Sequence, residues 1–334
     1  MKKKVELPLT EPIYSTYHSQ GGTAAAIYTN PSIRNWYLNQ VMILSCGRNF
    51  LHGVTTPQLH IEDSKWQDNP YFEQCWYGVR FARGYINYVI REMLDHGYYI
   101  YFGNADDFYI KGKTWYNERH LRHDGLITGY DQEEKTYTIY AYDINWIYRK
   151  FKTPQSCFIR ACVGKKDDGI KGTICAIKPK PDIVEFRPDI VHKKLKEYLN
   201  SSFELYPPTE TGTPVFGIVV HDYLALYMDR LMEGLVPYER MDYRIFRLIW
   251  EHKKAMLERL QKMEKELKMS SAISDEYAPL VKMADDMRML YAVYHRKRRD
   301  DLLPIIRKKL LTLKAEEQRI LTEFVNETEG LVTL

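Results

Sequence analysis

The sequence predicts an α+β N-terminal domain built on an antiparallel sheet, followed by an all-α helical C-terminal domain. Three observations carry this expectation. Two runs rich in β-formers, Gly125–Tyr130 and Thr136–Tyr142, are joined by the polar stretch Asp131-Gln132-Glu133-Glu134-Lys135, which is the pattern of a hairpin. From Val215 onward nearly every segment carries helical periodicity instead. The chain has 334 residues, more than one compact unit ordinarily holds. The expected division is 1–185 for the α+β domain, 186–214 for a helix and a linker or lid, and 215–330 for a helical bundle.

The elements follow in order. Residues 1–20 read as extended, with Pro8 and Pro12 as breakers. Gly21-Gly22 then precedes a short helix capped by Thr23. Asn30-Pro31 opens a second helix, continued at helical spacing by Ile33, Trp36, Tyr37, Gln40 and Val41. Residues 41–80 show no clear period. Val79–His96 predicts a helix with Ile86, Val89, Ile90, Met93 and Leu94 on one face, stopped by Gly97. Tyr98–Phe102 is too short for a helix and reads as a strand, and Thr173–Lys178 forms a further apolar run. Pro188-Asp189 starts a helix to Leu199, and Pro207-Pro208 marks the linker. Behind it, Phe246, Ile249, Met256, Leu260 and Met263 make a seam of roughly heptad spacing. Leu280, Met283, Met287 and Leu290 define another helix, and Ile306, Leu310, Leu313, Ile320 and Phe324 a third. These stripes read as core of a bundle.

Composition excludes several classes of function. Net charge is +4 with both signs interspersed, which argues against a nucleic-acid partner. The most basic run, His295–Arg299, is followed at once by Asp300-Asp301 and reads as a solvated helix end. The five cysteines form no CxxC pair and no zinc spacing, which fits a reduced, cytoplasmic setting. The Lys2-Lys3-Lys4 start is not followed by an apolar core, so export is not expected. No stretch approaches the ~18 apolar residues of a membrane span. There is no GxGxxG, Walker loop, HExxH or Ca²⁺ loop, so neither cofactor nor metal is expected. Asp106-Asp107 and Asp167-Asp168 read as turn chemistry.

The chemistry-bearing stretch lies between 85 and 143. In a hairpin the start of the first strand lies beside the end of the second, so the pairing itself is expected to bring His123 and Asp143 together. Read through Leu94–Ile100 and His123-Asp124-Gly125-Leu126-Ile127-Thr128-Gly129-Tyr130-Asp131, the sequence resembles the papain-like C39-type peptidases. It is more similar still to the N-terminal domain of the butirosin biosynthesis protein H acyltransferase family. That resemblance implies a papain-like (cysteine-proteinase-like) front domain, with His123 as general base and Asp143 as the group orienting it. It also implies a nucleophile at the first turn of an N-terminal helix, here around His18–Thr23, where no cysteine stands. Ser19 or Thr23 could replace it with Gln20 as oxyanion donor; Cys46, in Ser45-Cys46-Gly47, is the second option; a site without a covalent nucleophile is the third. The implied activity is acyl transfer or amide or thioester hydrolysis in peptide or specialised-metabolite biosynthesis, on an acyl or peptidyl substrate that a carrier protein could present. Two alternatives stand beside it: an inactive papain-like scaffold, and a helical protein forming a homodimer through the Met/Leu seam.

Overall fold

The computed structural model describes residues 2–332 apart from 53–55, 63–64, 80–83, 164–171, 203–213 and 238–240; the side chains of His18, Ser19, Gln20 and Ile27 also lie outside the description. In chain order its elements are β1 (Lys4–Glu6), α1 (His18–Ile27), α2 (Ile33–Gln40), β2 (Leu44–Cys46), β3 (Leu59–Ile61), β4 (Phe72–Gly78), α3 (Ile86–Asp95), β5 (Tyr99–Asp106), β6 (Arg122–Asp131) and β7 (Thr136–Tyr142). There follow β8 (Tyr148–Pro154), α4 (Gln155–Val163), β9 (Thr173–Pro179), α5 (Pro188–Leu199), β10 (Val215–Phe216), α6 (Val220–Met232), α7 (Ile245–Glu266), α8 (Ala272–Lys297) and α9 (Leu303–Thr328). The protein is therefore α+β, with antiparallel sheets and a helical C-terminal region.

The chain forms two units, and they do not divide it linearly: 1–34 with 66–183, and 35–65 with 184–334. The last of the three breaks follows residue 183, where the sequence reading placed a boundary at 185. Residues 35–65, read by sequence as part of the front domain, belong to the helical unit instead. A buried arginine supplies a physical reason. Arg259 on α7 donates to the carbonyls of Leu38 at 2.8 Å and Tyr37 at 3.2 Å, and also to that of Val41. It thereby binds the backbone at and just beyond the end of α2, where helical partners run out. His252, two turns earlier on α7, contacts the Met42 carbonyl at 2.8 Å.

In the first unit seven strands form one sheet, ordered β4-β9-β5-β6-β7-β8, with β1 added to β6. All pairings are antiparallel. Alternate strand residues Ile100, Phe102, Ile127, Ile139, Ala141, Ile174 and Ala176 share a core with Ile86, Ile90 and Leu94 of α3 and Phe158 of α4. The intervening residues, Leu126 among them, face the other way, and α1 packs on that side. A Cβ on Gly22 would stand 3.2 Å from the Leu126 Cβ and 3.0 Å from the Tyr148 hydroxyl. The Gly21-Gly22 pair, read as a lead-in to the helix, is thus inside it, because α1 lies too close to the sheet for larger side chains. Gly97, at φ 83°, ends α3 as expected. β8 and α4 carried no sequence signal.

The second unit holds the three-stranded sheet β10-β2-β3 and the long helices. α7 packs on α8, α8 on α9, and α9 on α6 and α5. Met256, Met263 and Met287 are buried here, so the stripe read as a dimer seam is consumed inside the chain. The Pro207-Pro208 linker and Asp167-Asp168 lie outside the described residues. Among those described, no helix is long and apolar enough to cross a membrane.

Candidate active site

His123 sits in β6 opposite Ala105 of β5. Its Nδ1 lies 2.6 Å from Oδ2 of Asp107, the first residue of a short 3₁₀ turn that follows β5. The imidazole is about a third exposed, whereas the carboxylate is buried. The pairing of β5 with β6 brings them together: Asp106 lies opposite Arg122, and the Asp107 amide donates to the Leu121 carbonyl at 2.9 Å. A bulge sets which acid is used. Between Phe102, opposite Gly125, and Ala105, opposite His123, β5 carries one residue more than β6, and Asn104 there adopts φ 62°. One inserted residue exchanges the faces presented by successive side chains. The two adjacent acids consequently hold different histidines. Asp106 binds Nδ1 of exposed His120 at 2.7 Å, while Asp107 binds His123.

Asp143, expected to orient His123, does something else. Its Oδ1 accepts from the amides of Asn145 at 2.8 Å and Ile147 at 2.9 Å, and its Oδ2 takes the Arg149 guanidinium at 2.5 Å. Burial alone would raise this carboxyl, but those amides and Arg149 hold it below the ordinary carboxylate range. Both oxygens are committed to the turn between β7 and β8, so register places Asp143 near the right strand end while turn chemistry claims its side chain.

Cys46 is not an activated thiol. It lies in β2 of the second unit, fully buried, and burial pushes its pKa up to about 12. An attacking thiolate needs the opposite shift. Cys175 is likewise pushed up to about 12 by burial, and Cys162 is also raised by burial. Thr23 is fully buried in α1. The Ser19 and Gln20 side chains lie outside the described residues, although their backbone opens α1.

His123 borders an open cleft of about 260 Å³. Trp76 and Tyr101 form an aromatic wall, with Trp66 stacked on Trp76 at 5.7 Å; Gln67, Asn104, Arg122 and Asp124 contribute polar groups. The Tyr101 hydroxyl donates to Asp124 at 3.1 Å, and burial, reinforced by that carboxylate, raises the phenol well above its usual range. Among the described residues no three His, Cys, Asp or Glu side chains are grouped as a metal site requires.

An imidazole whose Nδ1 donates to a carboxylate presents Nε2 as its proton acceptor, the tautomer a general base needs. Sequence reading paired His123 with Asp143, whereas the carboxylate in contact with it is that of Asp107. The adjacent acids Asp106-Asp107 were visible, but read as turn residues. Such an α+β protein, with a carboxylate-oriented histidine at the mouth of a cleft, has the parts of a general acid–base site. The chain matches no protein-family profile and no curated protein.

Proposed function

We propose that the chain is an acyltransferase, or an amide or thioester hydrolase, whose front unit is papain-like. In this reading His123 is the general base and Asp107, in place of Asp143, orients it. The observation that carries the proposal is the 2.6 Å contact between a partly exposed imidazole and a buried carboxylate beside a cleft. The substrate would be an acyl or peptidyl group in peptide or specialised-metabolite biosynthesis, presented on a carrier protein, in a cytoplasmic setting where the five cysteines stay reduced.

The buried state of Cys46 favours an oxygen nucleophile over sulfur. Ser19, in the first turn of α1, or a water or acceptor hydroxyl, would give its proton to His123 Nε2 as it attacks the acyl carbon. Collapse of the tetrahedral intermediate would expel the thiolate or amine, which takes that proton back. The N–H groups at the start of α1, with Gln20, would receive the oxyanion.

The test is turnover of a panel of acyl and peptidyl thioesters. Changing His123→Ala should reduce kcat/KM by at least about 10³-fold, as expected for loss of a general base. Unchanged turnover would remove His123 from the chemistry. A second reading, a papain-like scaffold without catalysis, is favoured by the burial of Cys46, the thiol the sequence offers as nucleophile, which raises its pKa. It predicts no turnover in the unaltered protein and carrier binding that survives H123A.

A further inference from the structure

We propose that Lys113 is a positioning residue of this site, its ammonium standing against the second oxygen of Asp107 and opposing that carboxylate's charge beside His123. The inference rests on the general-base reading of His123. Lys113 Nζ lies 3.6 Å from Asp107 Oδ1, with both side chains almost wholly buried. That distance makes an ion pair and no hydrogen bond; neither Nζ nor Oδ1 has a hydrogen-bond partner among the described residues. The carboxylate is therefore divided, Oδ2 to the imidazole and Oδ1 to the ammonium. Burying an ammonium is costly unless a charge opposes it, and the carboxylate does so here. Burial lowers the lysine pKa, while Asp107 and, further off, Asp124 pull it back up.

The backbone holds Lys113 in place. Its amide donates to Ile110 at 3.1 Å, and Gly112 at φ 102° gives its carbonyl to the Ile144 amide at 2.7 Å. Thr114 Oγ1 donates to the Asp143 carbonyl at 3.1 Å. The turn that Asp143 organises thus clamps the loop presenting Lys113, and Asp143 reaches the site through that loop.

The remaining charges around the triad are Asp106 at the end of β5 with His120 ahead of β6, Arg122 and Asp124 beside His123 on β6, and Arg160 of α4, which stacks over Tyr109 of the turn after β5 at 4.6 Å. None of them is in ion-pair contact with Lys113.

A positive charge behind Asp107 weakens the carboxylate's pull on a proton at His123. Its removal should favour imidazolium, so the base is disabled to a higher pH. In the full chain, Lys113→Met should move the acidic limb of the kcat/KM–pH profile up by about one unit, the usual scale for losing one nearby charge. The plateau at high pH should stay within a few-fold, and Lys113→Arg should return the limb toward its original position. A pH-independent loss, or an unmoved limb, would overturn the proposal. The imidazole resonances of His123, followed by NMR in the same variants, read the coupling without turnover. If H123A leaves turnover intact, the functional reading fails; if the imidazole midpoint is the same in K113M, the Lys113 proposal fails. Should neither variant fold, the unaltered protein decides, because the Lys113 ¹⁵Nζ signal should show an inflection at the His123 midpoint. Its absence refutes the coupling.

Discussion

At the scale of single residues, three aspartates at one end of the sheet have different duties. Asp107 orients His123, Asp106 holds exposed His120, and Asp143 organises a turn. Substitution should separate them. Asp107→Asn keeps the size but allows the wrong imidazole tautomer, so kcat should fall by about 10²–10⁴-fold with the fold retained. Asp106→Asn should change activity less than about threefold, because it touches a surface histidine. Asp143→Asn should lower the melting temperature while leaving most of the activity at permissive temperature. Thermal denaturation paired with the thioester assay on the three variants distinguishes these outcomes. If D143N matches D107N in its kinetic loss at unchanged stability, the assignment of the orienting carboxylate is wrong.

At the scale of elements, close backbone approach explains features that periodicity could not. Gly129 of β6 lies opposite Glu6 of β1, and a Cβ there would stand 2.3 Å from the Val5 carbonyl. No side-chain rotation relieves a clash with backbone. Gly129→Ala should therefore detach β1, seen as faster amide exchange at Leu7 and Gln132, whose N–H groups donate to Thr128 and Lys3. Slow exchange at those amides would show that the strand yields without separating. The β5 bulge poses the complementary case. Asn tolerates the left-handed conformation at position 104, whereas Val does not, so Asn104→Val should destabilise by about 1–2 kcal/mol and Asn104→Gly should be tolerated. Chemical denaturation of the two variants measures that difference.

At the scale of the whole molecule, the helical unit is organised around one buried carboxylate. Glu317 of α9 takes Lys253 of α7 at 2.6 Å, Tyr198 of α5 at 2.9 Å and Tyr277 of α8 at 2.5 Å, and His221 of α6 lies 3.7 Å away. Five helices meet there. Burial would raise Glu317, but Lys253, His221 and the Tyr277 hydroxyl hold it below the ordinary range. Burial, helped by Lys253, lowers His221 to about 4, and burial lowers His252 well below its ordinary value. Each of these groups binds protons less readily folded than unfolded, so stability is lost as pH falls, from about 6.5 for the two histidines and from about 4.5 for Glu317. The gap of about 2.5 pH units at His221 alone corresponds to roughly 3 kcal/mol between pH 6.5 and 4. Helical circular dichroism during thermal melts should show the loss in that window; a flat profile would mean that these histidines charge in the folded state. Lys253→Met should cost about 3–5 kcal/mol by leaving buried Glu317 without its counter-charge, and adding Glu317→Gln should recover part of it.

Local chemistry made a good share of this protein legible in its sequence. The hairpin strands on either side of Asp131–Lys135, the α3 face ending at Gly97, and the long C-terminal helices all announce themselves within a window of a few turns. Period and propensity act over such distances, and so these elements follow from the sequence by itself. His123 could be singled out on the same terms. Tertiary structure alone decided that residues 35–65 join the helical unit, that Gly21-Gly22 lie inside α1, and that Asp107 with Lys113 flanks the imidazole. Those outcomes depend on an arginine more than 200 positions away, on a tyrosine from β8, and on one extra residue in β5. Contacts between distant segments form only once the sheet has set its register, and no local pattern records which side of a bulge a carboxylate will face.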